Sequence, residues 1–238
     1  MKQLRQYIRH TLLTENIHPK IEGMIQRLRV INADEDIYEH MKIEINIESH
    51  GYFEVKLLKT IGGKRLGIIE AVKYSQECLD AFEVVWASER NLGLGPLLYD
   101  ITMEVASQYG TGLMCDRSSV SDAAFEVWNK YLYMRCNVDK DGKCKSPDIE
   151  IMQLDNNKWP KTPQPEDDCK GVSSIEHYPV QDFDMFDEIE TDAYLEYWQN
   201  KDPLAKVYIK KRPAVIRRLL PHIIWRDGSV SIDPPGWV

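Results

Sequence analysis

Between residues 42 and 48 apolar and polar side chains alternate, with Ile43, Ile45 and Ile47 on one side and Lys42, Glu44, Asn46 and Glu48 on the other. A period of two marks a half-buried strand, because successive side chains of an extended chain point to opposite faces. Ser49-His50-Gly51 reads as a turn, after which Phe53, Val55 and Leu57 repeat the pattern. Gly62-Gly63 predicts a tight hairpin before a third strand at 66–72, and residues 82–87 read as a fourth. Strands joined by short turns imply an antiparallel meander.

The period then changes. Leu97, Leu98, Ile101 and Val105 recur at helical spacing within 96–108, and Gly110 and Gly112 end that helix. Leu113-Met114-Cys115 reads as a short buried strand. Ser121 is a good N-cap for a second helix whose apolar face carries Ala124, Val127, Trp128 and Tyr131. Residues 148–154 give a last strand, and Ile21, Met24, Ile25 and Leu28 give a helix ahead of the meander. The expectation is an α/β chain of mixed α+β type: a twisted mixed sheet with flanking helices over residues 20–155, without internal repeat.

The ends differ in character. Residues 156–180 carry Pro160, Pro163, Pro165 and Pro179 in a polar setting, which predicts an extended linker. Residues 181–238 read as a helical extension. An acidic segment at 182–196 presents Phe183, Phe186, Ile189 and Tyr194, and a basic segment at 206–218 interleaves Val207, Ile209, Val215 and Ile216. Opposite charge suggests that these two helices pack on each other, or that the basic one meets an acidic partner; mutual packing is the preferred reading. Residues 1–19 open on a short amphipathic helix with Lys2, Arg5, Arg9 and His10 on its basic face. It is either a docked first helix or a leader.

Charge and cysteine content narrow the classes of partner. A net charge of −8 and a pI near 5.3 argue against nucleic acid, which needs a dominant basic face. Five cysteines, an odd number without a CxxC pair, predict free thiols in a reducing cytoplasm rather than a disulfide scaffold or a zinc knuckle. No apolar run approaches the roughly 20 residues that span a bilayer, and no secretory signal opens the chain. A cytoplasmic protein with no membrane partner is expected.

Chemistry concentrates at 84–96. A strand runs through Val84, Val85 and Trp86 into a turn, Arg90-Asn91-Leu92-Gly93-Leu94-Gly95, that opens directly into a helix at Pro96. The first N–H groups of a helix lack internal partners and carry the positive end of its dipole, so a diphosphate is stabilised there. Glycines let the backbone approach the anion without an intervening Cβ. Arg90 caps the turn or reaches a phosphate oxygen. Leu98 stands where a dinucleotide fingerprint needs a third glycine, and no Gly-Lys-Ser/Thr ends the loop as in a P-loop. An ordinary strand-to-helix turn containing two glycines is the remaining alternative.

Arg90-x-x-Gly93-x-Gly95, followed by helix, short strand and second helix, resembles the pyrophosphate loop and element order of the GNAT (Gcn5-related N-acetyltransferase) superfamily. Within that breadth, Asp116-Arg117-Ser118-Ser119-Val120-Ser121 with Ala124 and Trp128 is most similar to GNAT-like proteins of tailed bacteriophages. The resemblance implies that acetyl-CoA or another acyl-CoA lies in a splayed opening between the strands at 82–87 and 112–116. Val85, Trp86, Arg90, Asn91, Leu92, Gly93, Leu94 and Gly95 would hold it. It also implies direct acyl transfer to an amine, of a small molecule or a protein. In the phage setting Leu13-Thr14-Glu15 resembles a maturation cleavage site, which would place the chain in the host cytoplasm or packaged in the virion.

Acyl transfer needs a base for the ammonium proton and an acid for the leaving thiolate. The family's acid is a tyrosine in the second helix, where this chain has Trp128, and an indole cannot serve. Tyr131 follows on the same face and Tyr133 is near; packing on the sheet is the competing reading of both. Glu83 and Asp116 are the candidate bases, either as cleft carboxylates or as solvated strand ends. Pro96 removes one N–H donor yet favours the first helical position. Two functions therefore stand: an acyl-CoA-dependent N-acetyltransferase, and a weakly active or inactive GNAT-fold protein with a virion, self-association or other interaction role.

Overall fold

The computed structural model describes residues 17–33, 41–48, 51–59, 63–73, 78–89, 92–155, 163, 167, 169 and 201–227. The leader, the acidic segment at 182–196, and Arg90 and Asn91 lie outside them. Helix α1 (Pro19–Ala33) precedes strands β1 (Met41–Glu48), β2 (Tyr52–Lys59), β3 (Arg65–Lys73) and β4 (Phe82–Glu89). Then come α2 (Gly95–Tyr109), β5 (Leu113–Met114), α3 (Asp122–Lys130), a π-helical turn (Tyr131–Cys136) and β6 (Ile149–Gln153). The chain continues through β7 (Lys206–Lys210), α4 (Ala214–Leu219), a 3-10 turn (Leu220–His222) and β8 (Ile223–Asp227). Eight strands form one mixed sheet in the order β6-β7-β5-β4-β3-β2-β1-β8. This mixed α/β architecture is compatible with a GNAT-like α+β fold.

The described residues fall into two compact units: those within 17–71, 86–105 and 210–227 form the first, and those within 72–85 and 106–209 the second. In the first, β1 and β2 pair antiparallel with Ile43, Ile45 and Ile47 opposite Leu57, Val55 and Phe53, so the alternating apolar residues stack on one face. On the other face Lys56 pairs with Glu54 and Glu44. β8 joins β1 in parallel, and Arg226 Nε meets Glu44 Oε2 at 2.6 Å. Helix α1 buries Ile21, Ile25 and Leu28, one stripe at i, i+4 and i+7.

A polar cluster fastens α4 in the same unit. Glu104 of α2 accepts from the backbone N–H groups of Val215 at 2.9 Å and Ile216 at 2.8 Å, which begin α4. Lys210 Nζ meets Asp100 Oδ2 at 2.7 Å. Burial pushes the Glu104 carboxyl up to about 8, against the pull of Lys210 and the two backbone donors.

In the second unit β5 pairs parallel to β4 through Phe82 and Glu83, and antiparallel to β7 at Tyr208. Gly112 permits that approach, since a Cβ there would lie 2.6 Å from the Tyr208 carbonyl oxygen and 2.8 Å from Val207 Cγ1. Ser121 caps α3 as expected, its side chain accepting from the Ala124 N–H at 3.3 Å.

Two expectations need correction. The segment 206–218 is not one basic helix: residues 206–210 form a strand inside the sheet, and the helix covers only Ala214–Leu219. Val207 and Ile209 are two apart, a strand period, and Pro213 starts a new element because it cannot continue a helical hydrogen-bond ladder. Among the described residues, α4 meets acidic side chains at Glu104, as above, and at Glu22 of α1, which Arg218 meets at 2.5 Å. The thiols also differ from expectation. Cys78 is bonded to Cys169 and Cys136 to Cys144, with Cα–Cα separations of 4.9 and 4.7 Å, and Cys115 alone is free. An odd count carries no information about pairs brought together through the fold.

Candidate functional site

The turn after β4 belongs to the first unit. Gly93 has φ +68°, a left-handed conformation that glycine adopts without steric cost. The turn folds the chain back so that two backbone donors converge: the N–H groups of Leu92 and Leu94 point to one oxygen at 2.5 and 3.3 Å. That oxygen is Oε1 of Glu89, the last residue of β4. The second oxygen, Oε2, lies 3.6 Å from where a Cβ on Gly95 would stand. The exposed Arg27 of α1 brings Nη1 to 3.9 Å from the corresponding point on Gly93. The turn therefore seats an anion at the head of the 15-residue helix α2, and the seated anion is the chain's own carboxylate.

Strand β4 changes character along its length. Phe82, Glu83 and Val84 are buried, whereas Val85 is 40% and Trp86 57% exposed. Ala87 and Ser88 are exposed as well. The sequence pattern reads 82–87 as a strand, and within it burial ends at Val84. The pairing of β5 with β4 covers only Phe82 and Glu83, so Val84 and Val85 follow beyond its end.

In the second unit the two candidate bases come together. Glu83 is 9% exposed and accepts from the Arg117 backbone N–H. Its side chain is hydrogen-bonded to Asp116, and its carboxyl is raised above the ordinary 4.5, by burial first and by Asp116 in addition, against the opposing Arg117 N–H. Asp116 also shapes its loop: Oδ1 accepts from Ser118 N and Oγ at 2.6 Å each and from Ser119 N at 3.1 Å. Arg117 is buried beneath the loop, its Nη1 donating to the Leu204 carbonyl at 3.0 Å.

The tyrosine candidate sits elsewhere. Tyr131 is 3% exposed, in a cluster with Trp128 and Tyr208 at centroid distances of 6.3 and 6.0 Å. Trp128 stacks on Tyr208 at 5.2 Å, and Arg135 covers the Tyr131 ring at 5.4 Å. Of the two tyrosines on the π-helical turn, Tyr133 is the exposed one, at 43%, with its hydroxyl donating to the Lys201 carbonyl at 2.7 Å. Cys115 is buried and its thiol is pushed up to about 12, so it stays protonated and is no thiolate nucleophile.

Sequence reasoning missed Glu89 and Arg117. Glu89 stands one residue before the loop and signals its role only as an acid beside an anion seat. Arg117 appears in the quoted 116–121 segment, but nothing in the pattern marks it as buried. Among the described residues no helix is long and apolar enough to cross a membrane, and no acidic, histidine or cysteine group could hold a metal ion. No family model, curated protein or solved structure matches the chain.

Proposed function

We propose that this chain binds acyl-CoA and transfers the acyl group, acetyl in the simplest case, to an amine. The observation that carries the reading is the convergence of the Leu92 and Leu94 N–H groups on one anionic oxygen at the head of α2. A CoA pyrophosphate oxygen is a chemical equivalent of that carboxylate oxygen, and helix dipole and backbone donors favour it equally. The amides of an extended pantetheine arm would pair with backbone groups near Val85 and Trp86, which the exposure of both residues leaves accessible.

The chemistry then follows from the carboxylates. Glu83, with a raised pKa and Asp116 beside it, takes a proton from the incoming ammonium. The free amine attacks the thioester carbonyl, and the tetrahedral intermediate collapses with departure of the CoA thiolate. Among the described residues, Tyr133 is the exposed tyrosine able to protonate that thiolate; Tyr131 is packed away.

A second reading is favoured by one observation, the burial of Tyr131 with Trp128 at the positions where an acid is expected. In it the chain keeps acyl-CoA binding but little catalysis, and acts through association in a phage particle or with itself. Acetyl-CoA turnover against a panel of small-molecule and peptide amines separates the two. The enzyme reading expects turnover that Glu83→Gln lowers about 100-fold while acetyl-CoA binding is unchanged. Binding without turnover across the panel favours the second reading.

A further inference from the structure

We propose that Arg117 is a positioning residue for Glu83: its buried guanidinium, held by the Leu204 carbonyl, fixes the backbone N–H that Arg117 donates to the Glu83 carboxyl group. The bond itself stands on geometry; the role of Glu83 as the base rests on the acyl-transfer reading. Strand β5 ends at Met114, and its pairing with β7 is confined to Leu113 and Tyr208. Residues 115–117 are fastened instead by the turn that precedes β7. Cys115 Sγ donates to the Leu204 carbonyl at 3.4 Å, and Arg117 Nη1 to the same oxygen at 3.0 Å. That turn is itself held: the Leu204 N–H donates to Asp202 Oδ1 at 2.8 Å, and the Tyr208 hydroxyl to the Pro203 carbonyl at 2.9 Å. Arg117 is thus pinned at both ends, by its side chain on Leu204 and by its N–H on Glu83. An N–H on an unanchored loop would lose conformational freedom to make that bond; the buried side chain has already removed it.

Charge acts in the same direction. Burial raises the Glu83 carboxyl and the Arg117 N–H lowers it; Asp116 raises it further, and the Arg117 guanidinium opposes Asp116. Cys115 lies close enough to feel Arg117, Asp202, Glu83 and Asp116, but burial pushes its thiol up to about 12, so it adds no charge of its own. Asp116 is tied into its own loop through Ser118 and Ser119. Arg117 therefore sets a cation against the Glu83–Asp116 pair, and at 2% exposed its charge is little screened by solvent. Loss of the cation and loss of the Asp116 charge should move Glu83 in opposite directions, which a general loosening of the fold would not do.

Titration by NMR, paired with turnover of acetyl-CoA, tests this. The Glu83 carboxyl carbon and the Arg117 amide are followed across pH in the wild type, Arg117→Met and Arg117→Lys. In the wild type both signals should move with one midpoint, and Glu83→Gln should abolish the movement of the amide. The Glu83 midpoint should rise in Arg117→Met and return toward the wild type in Arg117→Lys, which keeps a cation and a donor for the Leu204 carbonyl. Turnover by Arg117→Met should fall about ten-fold at neutral pH, with the rising limb of kcat moved up and KM for acetyl-CoA unchanged. A Glu83 midpoint that ignores Arg117→Met in folded protein overturns the positioning role, whatever the turnover. A midpoint that moves as expected, with no turnover by any of the proteins, supports the positioning of Glu83 and sinks the acyl-transfer reading. If Arg117→Met does not fold, the wild type decides: an Arg117 amide that does not follow the Glu83 titration overturns the proposal.

Discussion

Carboxylates decide the residue scale, and each is tuned by a different neighbour. Glu83 is raised by burial and by Asp116, so the rising limb of a pH–rate profile should lie above the ordinary 4.5 and move down when Asp116→Asn removes the second charge. Initial-rate measurements across pH check this; a limb that ignores Asp116→Asn would argue that Glu83 is not the titrating base. Glu104 is purely structural, and its two oxygens hold the first N–H groups of α4. Glu104→Ala should cost about 2–4 kcal/mol by orphaning those donors, read as a shift in urea midpoint. The sign of its pH dependence is fixed by burial. The folded pKa lies above the unfolded one, so the folded state keeps a proton that the unfolded chain sheds. Stability from this group is full below 4.5 and is lost as pH rises to about 8. The deficit of Glu104→Ala should shrink over that window.

At the scale of elements, local patterns were legible and non-local ones were not. Strands β1 and β2 follow directly from the alternation at 42–57, and α3 from Ser121 and the spacing of its apolar residues, because each pattern is set by neighbours in sequence. Where burial ends along β4, at Val84, is encoded by no periodicity in that strand. β7 shows the same limit: Val207 and Ile209 carry a strand period, basic composition favours a helix, and the pairing with β5 decides between them. The close approach of β5 and β7 gives a direct check. Gly112→Ala should destabilise by about 1–3 kcal/mol, because the new methyl meets the Tyr208 carbonyl oxygen, which strand pairing holds in place, as well as the Val207 and Ile209 side chains. A thermal midpoint within error of the wild type would show that the strands part easily.

At the scale of the molecule, the sheet order brings together strands far apart in sequence. β7 stands between β5 and β6 although residues 154–205 separate it from β6, and β8 returns to β1 from the other end of the chain. Such topology is invisible to a local reading, as are the cysteine pairs, one of which spans 91 residues. The candidate site was legible in part for the same reason. The turn at 92–95 is a contiguous motif and was recognisable; Glu83 and Asp116 were recognisable as types. Their hydrogen bond, the backbone clamp from Arg117 and the carboxylate in the seat required the fold. A net charge of −8 opposes an anionic cofactor at long range, so binding must come from donors within hydrogen-bond distance.

The central claim is that the turn at 92–95 receives the diphosphate of an acyl-CoA. Isothermal titration of the wild-type chain with CoA tests it most directly, alongside Gly93→Val, which cannot adopt φ +68° without strain. The account predicts saturable one-to-one binding with Kd below about 1 mM, weakened at least ten-fold in the variant. No heat at millimolar CoA from the wild type, or binding that Gly93→Val leaves intact, would contradict it.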